Sequence, residues 1–230
     1  MATNLKKISL DLTGIQPKRL LDQLFTCRTE LRTINLLGIT TESVGLLFFK
    51  ELPRMNALRE ISLTFGRLRD ADIKKQAKNY NFAAGSCPSV EVLSITYLTQ
   101  GKGVSIANPC WTDFFGMFSG LKSLTLQGAS GTDEPTFWPK VLSSMPLLKT
   151  LALPQSTVNA QVLDAFAAPM SDAQCQICHL AFDYSHLPAD WIKKVPSKTP
   201  PNFDPVETLL RRLTEANRSL RSIEVSLQVR

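Results

Sequence analysis

A six-residue pattern constrains this chain more than any other feature. Leu121-Lys122-Ser123-Leu124-Thr125-Leu126 and Leu148-Lys149-Thr150-Leu151-Ala152-Leu153 both read L-x-x-L-x-L. The same template fits Leu5-Ile8-Leu10, Leu31-Ile34-Leu36, Leu58-Ile61-Leu63, Val90-Leu93-Ile95, Cys175-Cys178-Leu180 and Leu220-Ile223-Val225. The eight starts lie 26, 27, 32, 31, 27, 27 and 45 residues apart, so the first six spacings share a narrow band and the last carries an insertion. Within each copy the last two apolar residues are two apart, which puts them on one face of a strand. The first fills the space beneath. One unit cannot bury such a face alone, whereas stacked neighbours share a continuous core. The spacing therefore predicts an α/β chain, residues 1–230 as a single domain, with about eight parallel strands and helical connections.

The pattern resembles the leucine-rich repeat family, and the resemblance covers nearly the whole chain. It implies a right-handed solenoid, the horseshoe of that family, with a parallel sheet inside and helices outside. The family pattern usually continues to an Asn or Cys whose side chain satisfies backbone groups between repeats. Here the equivalent places hold Thr13, Ile39, Gly66, Leu98, Ala129, Ser156 and Asp183. No asparagine ladder is expected, and the turns after the strands should differ from repeat to repeat. This irregular, Asn-poor character resembles the repeat region of F-box/leucine-rich-repeat proteins, the substrate receptors of cullin-type ubiquitin ligases. The resemblance implies a non-catalytic role in binding another protein. No F-box precedes the first repeat, and neither end carries an evident cap, so the chain is expected to be part of a longer protein.

Composition narrows the setting. Hydrophobic residues make up 43% and charged residues 20% of 230, which predicts a packed chain and not a disordered one. The longest purely apolar run is Leu46-Leu47-Phe48-Phe49, far short of a membrane span. The N-terminal Met1-Ala2-Thr3-Asn4-Leu5-Lys6-Lys7 lacks the apolar core of a signal peptide. Five cysteines, an odd number, point to a reducing compartment, so cytoplasm or nucleus is expected. The net charge is +6, but the bases are scattered along the chain, with only short pairs such as Lys6-Lys7, Lys18-Arg19, Lys193-Lys194 and Arg211-Arg212. A nucleic-acid reader normally shows a clustered stripe, so nucleic acid is not the expected partner.

Between the strands the sequence predicts helices with apolar stripes. They include Leu20-Leu21-Leu24, Leu47-Leu52-Met55, Trp111 to Phe118, Phe137 to Leu142, Gln161 to Ala167, and Val206 to Leu213 after the capping-box-like Asp204-Pro205-Val206-Glu207. Pro53 should end or kink the second of these. The period breaks at 187–204, an inserted loop holding Pro188, Pro196, Pro200, Pro201 and Trp191. Loops of that length in compact folds are commonly functional or disordered.

Little in the chain points to catalysis. Gly101-Lys102-Gly103 lacks the spacing of a phosphate-binding loop, and two histidines leave small scope for acid–base chemistry. Cys175-Gln176-Ile177-Cys178-His179 spells the C-x-x-C-H of haem attachment. The repeat register instead puts Cys175 and Cys178 at core positions, where free cysteine acts as a small hydrophobe. No cofactor, metal or catalytic residue is expected. The alternative is a metal- or redox-dependent protein using Cys175, Cys178 and His179.

The strand face that points away from the core is the other candidate. Its first column is Ser9, Asn35, Ser62, Ser94, Thr125, Ala152, His179 and Glu224. Its second is Lys7, Thr33, Glu60, Val92, Ser123, Thr150, Ile177 and Ser222. Eight parallel strands would spread these over about 34 Å. Two readings stand: a broad contact for another protein, or side chains kept small because strands crowd on the inside of a curve. The 187–204 loop, through Trp191, is an equal candidate for contact.

Overall fold

The strands align so that like positions of successive repeats meet. A computed structural model describes residues 5–14, 30–39, 52–66, 83–98, 104–105, 109–130, 136–158, 175–184 and 219–227, with Val162, Phe166, Arg211, Thr214 and Glu215 besides. In chain order the elements are β1 (Lys7–Asp11), β2 (Thr33–Ile39), a 3-10 turn (Leu52–Arg54), β3 (Glu60–Phe65), β4 (Val92–Tyr97), β5 (Val104–Ser105), α1 (Pro109–Gly116), β6 (Ser123–Gln127), β7 (Ala129–Ser130), α2 (Phe137–Ser144), β8 (Thr150–Val158), β9 (His179–Tyr184) and β10 (Ser222–Leu227). Eight of the strands form one parallel sheet in the order β1-β2-β3-β4-β6-β8-β9-β10, and β5 pairs with β7 in a small second sheet. The class is α/β.

Strict alternation makes the sheet two-faced. Ile8, Ile34, Ile61, Leu93, Leu124, Leu151, Leu180 and Ile223 lie in one register row. Leu10, Leu36, Leu63, Ile95 and Leu126 form the next, and Leu153, Phe182 and Val225 occupy the same level farther along. Leu36, Leu63, Ile95, Leu126 and Leu153 are all buried. Full burial of each such side chain contributes about 1.5–3 kcal/mol before entropy is counted. Leu31, Leu58, Val90, Leu121 and Leu148, the first residues of their repeats, are buried below the strands.

The seventh repeat departs from the expected frame. Leu180 pairs with Leu151 and Phe182 with Leu153, while Ile177 is buried just before the strand. The true copy is Ile177-x-x-Leu180-x-Phe182. A slip of two residues preserves the in–out alternation, so periodicity could not separate the frames. Burial did: the chosen frame hides Ile177 and Phe182, whereas the other would hide two smaller cysteines. Cys175 is half-buried against the core, and Cys178 lies one residue before the strand, half-exposed.

Helices pack on the apolar side of the sheet. Trp111, Phe114 and Phe115 of α1, with Phe118 just beyond, and Phe137, Trp138, Val141 and Leu142 of α2 join the same core as the strand rows. Their rings form a run of edge-on and tilted contacts: Phe114–Phe118 at 5.2 Å, Phe115–Phe137 at 6.3 Å, Phe137–Trp138 at 5.0 Å and Trp138–Phe166 at 4.5 Å. Offset and edge-on rings add to area burial because each ring presents a negative face and a positive edge. At Pro53 the described part of the expected helix is a 3-10 turn, with Leu52 and Met55 buried, while Leu47 lies outside the described residues. Val162 and Phe166 are helical and buried, as the 161–167 stripe predicts. The stripe at 20–24, most of that at 206–213 and the whole 187–204 loop lie outside the described residues. No described helix is long and apolar enough to cross a membrane.

Candidate functional site

The face of the sheet opposite the helices is polar, and the register sets its columns. One column runs Ser9, Asn35, Ser62, Ser94, Thr125, Ala152, Ala181 and Glu224. The second runs Lys7, Thr33, Glu60, Val92, Ser123, Thr150, His179 and Ser222. Ser9, Asn35, Ser62, Ser94, Thr125 and Glu224 therefore stand where the repeat predicted. His179 does not: the two-residue shift moves it into the second column and puts Ala181 in its place. Ile177, expected on this face, is in the core. Trp191 lies outside the described residues.

Alternation makes these side chains point outward, and their small size lets them bond sideways to the next strand. Asn35 Nδ2 donates to Ser9 Oγ at 3.3 Å, and Thr33 Oγ1 to Glu60 Oε2 at 3.5 Å. A longer relay crosses four strands. Thr96 Oγ1 donates to Gln127 Oε1 at 3.4 Å, Gln127 Nε2 to Gln155 Oε1 at 3.0 Å, and the Gln155 backbone N–H to Asp183 Oδ2 at 2.7 Å. Gln155 adopts φ 53°, a left-handed conformation rare for residues with a side chain, within the register shift of β8. Apolar exceptions on or beside this surface are Leu37, Val92 and Leu98, each more than a third exposed.

Beneath the bulge, Ser156 ties neighbouring strands together through its side chain. Its hydroxyl donates to Leu126 O at 2.7 Å and accepts from Ala129 N–H at 3.1 Å, fully buried. It joins one repeat to the next at a point where backbone groups would otherwise be orphaned. Of the seven residues named at the places after the strands, Ser156 forms such a bridge between repeats. Asp183 serves Gln155 instead, and in the corrected frame it no longer occupies the ladder position.

Cys175, Cys178 and His179 do not converge. Cys178 Sγ lies 3.5 Å from Lys149 O, and neither Cys175 nor Cys178 is in a disulfide. His179 Nδ1 lies 2.6 Å from Ser222 Oγ. Among the described residues no group of three or more His, Cys, Asp or Glu could hold a metal ion. The His179–Ser222 contact joins residues 43 apart and was invisible without strand pairing. A base hydrogen-bonded to a hydroxyl is one half of a nucleophile arrangement, but here the ring is exposed and no described carboxylate bonds its other nitrogen. Among the described cysteines Cys87 is the buried one: desolvation pushes its thiol up to about 11 and keeps it protonated.

The chain matches no protein-family model, and no curated protein matches it.

Proposed function

We propose that this chain is a non-catalytic scaffold that binds another protein, built as a right-handed leucine-rich-repeat solenoid of the horseshoe kind. The contact surface is the outward strand face, from Ser9, Asn35 and Ser62 through Ser94 and Thr125 to His179 and Glu224. The 187–204 loop adds contact through Trp191. One observation carries this reading: eight parallel strands, in continuous register across these two columns, present polar side chains over about 34 Å, with no described element laid over them. Small hydroxyl side chains are cheap to desolvate when their bonds are replaced, and they leave room for anchors supplied by the partner. The more specific form is a substrate-recognition segment of an F-box-type ubiquitin ligase receptor, working in cytoplasm or nucleus.

Affinity capture with quantitative mass spectrometry tests the surface. The triple variant Ser62→Arg, Ser94→Arg, Thr125→Arg puts bulk and charge at the centre of the face. Lys140→Glu on α2 is the control. The reading holds if the triple variant loses proteins that the control retains, and fails if both capture the same set. For the ligase form, the lost proteins should accumulate in cells when this protein is depleted. Unchanged levels defeat that form and leave the scaffold.

A further inference from the structure

A third row of side chains runs along the rim of the polar face. It is made of the residue just before each strand's second column: Lys6, Arg32, Arg59, Glu91, Lys122, Lys149, Cys178 and Arg221. Backbone bonds hold these residues in line. Arg32 N–H donates to Lys6 O at 2.8 Å, Arg59 to Arg32 at 2.9 Å, Glu91 to Arg59 at 2.8 Å, Lys122 to Glu91 at 2.8 Å, and Lys149 to Lys122 at 2.8 Å. The row continues with Cys178 on Lys149 at 2.9 Å and Arg221 on Cys178 at 2.8 Å. Bases that are dispersed in the sequence therefore stack at strand spacing, about 4.8 Å, once the repeats are folded.

The row is not uniform. Lys122 Nζ is 2.8 Å from Glu91 Oε2, so those charges cancel. Arg59 Nη1 is turned onto carbonyls of its own neighbourhood: Asn56 O at 3.0 Å, Leu58 O at 3.1 Å and Ser89 O at 3.3 Å. Lys6, Arg32, Lys149 and Arg221 are exposed, and among the described residues none of their side chains is paired. Lys7, exposed on β1, adds to the first end. The rim thus has a cationic end at Lys6, Lys7 and Arg32, a centre where Glu60 and Glu91 offset Arg59 and Lys122, and a second cationic end at Lys149 and Arg221. Arg32 and Lys149 are four strand steps apart, about 19 Å.

We propose that the partner docks through a polypeptide segment bearing two acidic clusters about 19 Å apart, one on each cationic end. The inference rests on the scaffold reading and names the chemistry of its ligand. Charge complementarity selects this occupant. A nucleic-acid strand carries charge evenly and would lay phosphate over Glu91. Apart from His179 at one end, the described outward columns also offer no aromatic ring for a base to stack on. Two acidic patches joined by neutral residues match the rim and leave its centre to the hydroxyls beside it.

The test is fluorescence anisotropy with a labelled peptide in which two Asp/Glu runs flank a neutral spacer of about six residues. A peptide of the same composition with all its acids contiguous, and an oligothymidine strand, are the comparisons. The split peptide should bind saturably at roughly 50 mM salt, more tightly than either comparison, and weaken as salt rises. Lys6→Glu with Arg32→Glu, and separately Lys149→Glu with Arg221→Glu, should each weaken it about tenfold or more, while Lys140→Glu leaves it unchanged. All these positions are exposed, and an unchanged urea midpoint confirms that the variants are folded. No saturable binding, equal loss from Lys140→Glu, or preference for the contiguous peptide or the oligonucleotide overturns the proposal. If the rim variants keep every protein that the Ser62/Ser94/Thr125 variant loses, the rim fails and the scaffold survives. If only the rim variants lose partners, the face reading fails.

Discussion

Gly120 shows how far a single residue can be committed by the repeat. It sits in the turn before β6, and an added Cβ would fall onto the Pro88 carbonyl oxygen. Gly116, four residues earlier at the end of α1, has nothing within 4 Å of the same position. Gly120→Ala should therefore destabilise by about 2 kcal/mol or more, because backbone must move. Gly116→Ala should be neutral or stabilise by up to about 1 kcal/mol, since it lies in helix at ordinary φ. Urea midpoints of the two variants decide this, and equal shifts would contradict it. Glu91 gives a pH-dependent counterpart. The hydrogen bond from Lys122 holds its carboxyl below the usual range, with the charges of Lys122 and Arg59 acting in the same direction. Because the folded value is depressed, the interaction is present above the ordinary glutamate value and is lost as pH falls through the folded one. Lys122→Met should move the Glu91 midpoint upward, read from its carboxyl carbon by NMR. An unmoved midpoint would mean that the pair is not formed in solution.

At the scale of elements, β8 carries the most information. The strand runs through Pro154 and on to Val158 by way of the bulge at Gln155. Proline lacks an N–H yet keeps its carbonyl, and Pro154 O accepts from Gly128 N–H at 3.1 Å. Gly128 meets this crossing with φ 75°, and an added Cβ would press within 2.8 Å of Tyr97 O. Ser156→Ala would leave the buried Ala129 N–H without its acceptor, for an expected loss of about 1–3 kcal/mol. Ser143→Ala removes an exposed hydroxyl bonded to Lys140 O and should cost within about 0.5 kcal/mol. Thermal denaturation of the pair separates a bridging serine from a decorative one. The helices were legible from their aromatic spacing: Trp111, Phe114, Phe115 and Phe118, then Phe137, Trp138, Val141 and Leu142, are buried where the periodicity placed them.

Over the whole molecule, each strand touches only its sequence neighbours in the sheet, so stability should be distributed along one dimension. The rows of β4, β6 and β8 are covered from both sides, whereas β10 has a neighbour on one side only and Ile223 and Val225 are half-exposed. Amide exchange should be slowest in β4, β6 and β8 and fastest in β10. Leu124→Ala should cost about 3–4 kcal/mol and Ile223→Ala about 1. A uniform exchange profile, or equal costs for these two variants, would be evidence for one cooperative block instead of a chain of repeats.

The sequence by itself determined the parallel order, the inward rows and the composition of the outward face. All three follow from apolar residues recurring at a fixed spacing that only stacked strands can bury. It could not fix the frame of the seventh repeat, because Cys175-Cys178-Leu180 and Ile177-Leu180-Phe182 share a parity and differ only in how much surface they hide. Tertiary structure alone decided that Ser156 bridges repeats, that His179 meets Ser222, and that Lys6, Arg32, Lys149 and Arg221 share an edge. Residues about 26 to 43 positions apart have no local reason to meet. Strand pairing brings partners on adjacent strands to within a few ångströms, and charges that look dispersed along a line come to share one edge of a surface.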